Sequence, residues 1–198
     1  PEARIYNDKQ EFLRRQHAAG FTMEDVELIL SPMAEDGKEA IGSMGDDSPL
    51  AVLSDHHRPL SHFFRQNFAQ VTNPPIDPLR EERVMSLRTR FKNLGNILAE
   101  DATQTNVFVL ESPVLTNGMY TRMLETIGEQ VAVIDCTFPV DAGGSPGIAL
   151  RDAIARIREE ARVAVSSGRG HIILTDEGQG PERAGIPMIL AAGGVHSW

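Results

Sequence analysis

The stretch VAVIDCTFPVDAGGSPGIALRDAIARIREEARVAVSSGRGHIIL, from Val131 to Leu174, decides the fold. It opens on one short apolar run, Val131-Ala132-Val133-Ile134, and closes on another, His171-Ile172-Ile173-Leu174. Unbroken apolar runs of this length, bounded by polar residues and glycine, read as strands of a parallel sheet. Between them Pro146 to Ser167 predicts a long helix. Leu150, Ile154, Ile157, Ala161 and Ala164 recur at helical spacing, Arg151, Arg156, Arg158, Glu159, Glu160 and Arg162 take the other face, and Gly168 closes it. A helix of that length between two such runs is what a right-handed parallel crossover needs.

Outward from this unit, Leu50-Ala51-Val52-Leu53 and Val107-Phe108-Val109-Leu110 have the same strand character, which makes four runs. Segments from Pro59 to Ala69 and from Pro78 to Phe91 read as helices, each with proline in its first turn and the second capped by Asp77. Asn73-Pro74-Pro75-Ile76-Asp77-Pro78 is a stiff elbow, because its prolines lack donors and bias their predecessors toward extended backbone. The first 45 residues are helical in pattern. Asp8 caps a helix running through Arg15 and Ala19 to Gly20, and Thr22 caps another, with Met23, Val26, Ile29 and Leu30 on one face, that Ser31-Pro32 stops. A loop with glycines, Lys38 to Gly45, follows. The expectation is an α/β fold with a mainly parallel sheet: a helical lead-in, 1–45, packed on a main domain, 46–198, that is cut short at its C-terminal end. The 198 residues fall short of the roughly 250 of a closed eight-fold βα barrel.

A net charge of −9, from 19 Lys+Arg against 28 Asp+Glu, repels phosphate backbones and anionic bilayers, so neither nucleic acid nor a membrane is an expected partner. No apolar run approaches the roughly 20 residues of a membrane span. The single cysteine, Cys136, leaves this chain without an internal disulfide, a cysteine zinc site or an iron-sulfur cluster of its own, and points to a reducing compartment such as the cytoplasm. Pro1 follows no signal sequence, and the chain reads as excised from something longer.

The chemistry-bearing pattern is acidic. Each strand run ends within two residues in a carboxylate: Asp55, Glu111, Asp135 and Asp176. Ligands bind at the carboxyl ends of parallel strands, so a ring of acids there could hold a divalent cation or act as general bases; as ordinary loop acids and helix caps they need no ligand. Glycine-rich loops at Asp141 to Gly147 and Asp176 to Pro181 offer backbone N–H groups to a phosphate but match neither dinucleotide nor P-loop signatures, and the flanking acids oppose an anion. His56, His57 and His62 lack zinc spacing, Ser54 and Ser112 lack a nucleophile elbow, and Cys136 reads as a buried inert thiol. No catalytic, cofactor or metal residue is assigned on this basis.

Longer strings carry a resemblance. Met33-Ala34-Glu35, Gly37-Lys38-Glu39, Ile41 through Ser54 (IGSMGDDSPLAVLS), Phe68 through Glu82 (FAQVTNPPIDPLREE), Val84-Met85-Ser86-Leu87, Leu110 through Thr116 (LESPVLT), Thr137-Phe138-Pro139-Val140 and Asp176 through Pro187 resemble the glutamate synthase large chain, in the central region between its amidotransferase and FMN-binding domains. The likeness runs along nearly the whole chain and thins between about 92 and 106. It implies a non-catalytic linking domain, a rudimentary TIM-barrel-like relative of the FMN barrel that carries no flavin. It also implies a parent enzyme that makes glutamate from glutamine and 2-oxoglutarate, with FMN and an iron-sulfur cluster elsewhere in the polypeptide, an internal ammonia path partly walled by this region, and a reductase subunit as a possible partner. Sheet edges left open would be covered by those neighbouring domains, and an isolated piece would expose an apolar docking surface. The competing expectation is a free-standing α/β enzyme using the acids at the strand ends, with or without a divalent metal.

Overall fold

A computed structural model describes residues 8–37, 53, 59–63, 80, 83–91, 96–100, 102–105, 107–140 and 145–198. The chain forms two compact units, Pro1–Thr121 and Arg122–Trp198.

The first described element of the first unit is α1, Lys9–Ala18, whose first turn is capped by Asp8 accepting from the Gln10 N–H at 2.9 Å. The turn after it needs Gly20: its φ is +79°, and a Cβ there would meet Pro59 Cγ at 2.5 Å. Helix α2, Met23–Asp25, opens with a capping box in which the Thr22 N–H donates to Asp25 at 2.7 Å and the Asp25 N–H returns to the Thr22 hydroxyl at 3.1 Å. The predicted stop at Ser31-Pro32 does not occur. A π-turn over Val26–Leu30, with the Ser31 N–H on the Val26 carbonyl, carries the chain into α3, Ser31–Asp36. The wider turn puts Pro32 in the first turn of a new helix, where no N–H is required. Gly37, at φ +59°, ends it.

Short strands β1, Thr89–Phe91, and β2, Phe108–Leu110, pair antiparallel, with Thr89 opposite Leu110 and Phe91 opposite Phe108. Two expectations are corrected here. The helix drawn from Pro78 to Phe91 cannot reach its end, because 89–91 are extended and bonded to β2. The run at Val107 is not a parallel strand: Phe108–Leu110 pairs antiparallel with β1, and the described chain between them holds 3-10 turns, Ile97–Ala99 and Ala102–Thr105, rather than the α-helix that usually carries a parallel crossover. Of the segment expected to be helical from Pro59, the described part is a 3-10 turn, Leu60–Phe63. Of Leu50–Leu53 only Leu53 is described, exposed and in a helical turn; the loop at Lys38–Gly45 and the elbow at Asn73–Pro78 lie outside the described residues. The last helix to begin in this unit is α4, Asn117–Ile127.

In the second unit β3, Val131–Asp135, and β5, His171–Thr175, are parallel and in register from Val131↔His171 to Asp135↔Thr175. The long helix α5 lies between them in sequence at Pro146–Ser166, within one residue of the expected span, with Gly168 at φ +81° after it. Between β3 and α5 the chain makes β4, Thr137–Pro139, which pairs antiparallel with β6, Arg183–Gly185. The chain then closes with α6, Met188–His196. Of the three described strand pairs only β3·β5 is parallel, so the mainly parallel sheet is replaced by a mixed α/β arrangement with a small parallel sheet.

The core is Ile134, Cys136, Ala153, Ile157, Ala161, Ile186 and Ala191, with Leu150, Ile154, Ile172 and Leu174 packed against it. The predicted apolar stripe of α5 is the stripe that faces it, widened by Ala153. Small residues line the helix contact, and a Cβ added at Gly194 on α6 would stand 3.4 Å from Ile154 Cγ2. Ile134 is buried in the core, while Val133, on the opposite face of β3, is 52% exposed. Among the described residues no helix is long and apolar enough to cross a membrane.

Candidate functional site

The carboxyl end of β3 is where the acid pattern can be checked against coordinates. The chain switches partners there. Cys136 donates its N–H to Thr175 O of β5 at 2.7 Å and accepts from the Ile186 N–H, just beyond β6, at 2.8 Å, so one residue joins the parallel and the antiparallel ladders. Such a residue must be small and apolar enough to be buried, and Cys136 is fully buried. Its thiol is pushed above the ordinary cysteine value, first by burial, with the nearby Asp135 and Asp176 charges adding to the effect against the Thr175 hydrogen bond and Arg156. This is the inert thiol expected from the sequence.

Around the switch the Asp135 carboxylate closes onto Thr137, the first residue of β4. One carboxylate oxygen accepts the Thr137 N–H at 2.9 Å and the other the Thr137 hydroxyl at 3.0 Å. Two arginines complete the knot. Arg183 reaches from β6 to donate Nε–H to the Thr137 hydroxyl at 2.7 Å, with Nη2 3.1 Å from Asp135 and 3.0 Å from Thr137 O. Arg156 reaches from α5 to Asp135 O at 2.8 Å and Thr137 O at 3.0 Å while its other nitrogen holds Glu160 at 2.8 Å. Gly178 lies close against this knot, since a Cβ there would come within 3.3 Å of Asp135 and Thr137 oxygens, and Asp176 accepts from Gln179 Nε2 at 3.1 Å. Both carboxylate oxygens of Asp135, the Thr137 hydroxyl and the Asp135 and Thr137 carbonyls are each engaged by the chain itself. Its chemistry is that of a splint for the strand switch, built from the Asp135, Thr137, Arg156 and Arg183 bonds.

Asp135 and Asp176 therefore come to one neighbourhood, with Cys136 between them in influence. Glu111 belongs to the first unit and is bound to Arg88 at 2.9 Å; Asp55 is outside the described residues. Among the described residues no group of three or more His, Cys, Asp or Glu could hold a metal ion, so the divalent-cation reading gains no support. His56, His57, Ser54 and the loop at 141–144 also fall outside the described residues, and of His62 only the backbone, in a 3-10 turn, is described. Ser112 is a tether: its hydroxyl donates to Met33 O at 2.7 Å and accepts from the Val114 N–H at 3.1 Å. The residues the sequence reading missed are Thr137, Arg156 and Arg183. Arg156 read as solvated polar face, and nothing in its spacing says that it spans 21 positions to a strand end.

The first unit also contains an open polar cleft of about 870 Å³, lined by Glu35, Asp36, Arg83, Arg88, Arg90 and Glu111 among others.

With both constellations in view, comparison with known proteins decides the family. The glutamate synthase central domain model matches residues 14–198. The chain belongs to the glutamate synthase central domain family. It is 65% identical over 190 residues to the glutamate synthase [NADPH] large chain of Azospirillum brasilense, covering 96% of this chain and 12% of that one. It is 41% identical over 199 residues to ferredoxin-dependent glutamate synthase 2 of Synechocystis, covering 98% and 12%, and 42% identical over 186 residues to glutamate synthase [NADH] of Schizosaccharomyces pombe, covering 91% and 9%. This central domain thus spans about an eighth or less of the curated relatives it matches, and those relatives are oxidoreductases that differ in their named electron donor.

Proposed function

We propose that the chain is the non-catalytic central domain of a glutamate synthase large chain, joining the glutamine amidotransferase and FMN-binding domains and helping to wall the internal path for ammonia between them. The observation that carries this reading is the family match over 14–198 in relatives eight or more times longer. The residue chemistry supports it: the polar cluster at the β3–β4 switch is bonded within the chain as a splint, which is what a domain that provides shape requires. The parent would make glutamate from glutamine and 2-oxoglutarate in the cytoplasm, and a reductase subunit would be a further partner. The FMN and iron-sulfur cluster would lie in other parts of that polypeptide, since one fully buried cysteine supplies no cluster ligand set. We read β3, α5 and β5 as one βα unit of a rudimentary TIM-barrel-like body, 46–198, with 1–45 as its helical lead-in.

Two measurements test the reading. The purified chain should be colourless, bind neither FMN nor NAD(P)H, and show no glutaminase activity; stoichiometric flavin binding overturns it. In the full-length parent, a mild core-loosening change such as Ile157→Val should depress glutamate formation from glutamine more than formation from added ammonia. Equal loss with both nitrogen sources overturns the ammonia-path part.

A further inference from the structure

The polar cleft of the first unit has no part in the linking reading, and the following inference does not rest on that reading. Its one ion pair among the described residues follows from register. Thr89 stands opposite Leu110, which brings Arg88 opposite Glu111 at 2.9 Å. Arg90, two positions further along β1, continues on the same side of the strand and also lines the cleft. Among the described residues Arg83, Arg90, Glu35 and Asp36 form no ion pair, although all four border this one concavity. The acids also sit in the last turn of α3, where the carbonyl ends of the helix add partial negative charge to theirs.

A simple dianion in this cleft would meet two available guanidiniums together with three carboxylates, and a simple cation would meet the reverse. A ligand carrying both signs is matched at both ends. We propose that the cleft binds an acidic α-amino acid zwitterion, its two carboxylates held by Arg83 and Arg90 and its ammonium by Glu35 and Asp36. Guanidinium suits this role because its fixed fork of donors fits a carboxylate bidentately. A cleft of about 870 Å³ accommodates such a molecule with bridging water.

The test is calorimetric titration of the whole 198-residue chain with L-glutamate as probe, and with glutarate, which keeps both carboxylates and lacks the ammonium. Saturable L-glutamate binding is expected, weakened about tenfold or more by Arg83→Ala and by Arg90→Ala, with glutarate at least about tenfold weaker on the unaltered chain. Glu35→Gln should weaken L-glutamate more than glutarate, and Arg162→Ala, on the exposed face of α5, should change nothing. These side chains are exposed, so circular dichroism should show each variant folded. No saturation by L-glutamate at tens of millimolar, glutarate binding as tightly, or affinity untouched by both arginine changes overturns the proposal. Flavin binding by the chain would sink the linking reading and leave this result standing.

Discussion

Every fully buried side chain among the described residues lies between Ile134 and Ala191, in the second unit, whereas the first unit is tied by caps, a π-turn and a few bonds that reach across sequence. In the second unit Ile157, Ile186, Cys136 and Thr137 are essentially sealed from solvent and meet along an interface of helix against strand. In the first, the end of α3 is tied to the residues flanking β1 and β2 by Ser112 on Met33 O, Leu87 N–H on Gly37 O at 2.8 Å, and the bare face of Gly37 against Glu111 O. Apolar area removed from water scales with the packing of many residues, while a tether of this kind rests on one or two atoms. The two units should therefore respond to different substitutions.

The largest effect is expected at the centre of the second unit. Ile157→Ala deletes a side chain with no exposure and should cost about 2–5 kcal/mol, read from the urea midpoint. A cost below about 1 kcal/mol would mean that the helix-on-strand core is not what holds this unit. Next comes the splint. Thr137→Val keeps the shape and removes the hydroxyl that Arg183 and Asp135 share; because Arg183 and Asp135 are themselves half-exposed, water can replace part of the loss, and about 1–2 kcal/mol is expected. If Thr137→Val costs as much as Ile157→Ala, the cluster rather than the apolar core dominates.

The first unit is challenged at Gly37. Alanine there would stand at φ +59° with its Cβ 2.8 Å from Glu111 O, a backbone atom that cannot swing away. The left-handed conformation alone costs an L-residue roughly 1–2 kcal/mol. Gly37→Ala should therefore destabilise the α3 end and speed amide exchange at Leu87, whose N–H is held by Gly37 O, without altering exchange at Cys136. Unchanged exchange at Leu87 would mean that this tether carries no stability.

The contrast also explains what could be read from the chain alone. The α5 stripe, the β3 and β5 runs and the caps at Asp8 and Thr22 were legible because each is written in local period or in residues a few positions apart. The antiparallel pairing of β1 with β2 was not, because Val107-Phe108-Val109-Leu110 is apolar enough for either ladder and carries nothing that names its partner or direction. Pro32 misled because a proline ends a regular helix but can start one after a π-turn. The acids illustrate the same limit: a carboxylate after a strand was visible at Asp135, but not the threonine or the β6 arginine that bind it, nor the α5 arginine on its backbone carbonyl. The family likeness was legible because it lies in long strings rather than in any one motif.

The smallest effect separates burial from tethering at a single atom. Burial holds the Cys136 thiol above its ordinary value, so the unfolded chain releases this proton at lower pH than the native one. Where that holds the native state binds more protons, and stability must fall as pH rises above the unfolded thiol value, with a slope of at most one proton and no effect at neutral pH. Denaturant midpoints from neutral to mildly alkaline pH, compared between the native sequence and Cys136→Ala, should show an extra alkaline decline only in the former. The alanine form should begin lower, having lost the buried sulfur, and the two curves should then approach one another. Parallel curves would mean that water reaches the thiol, and with it the point where the β3 ladder hands over to β6.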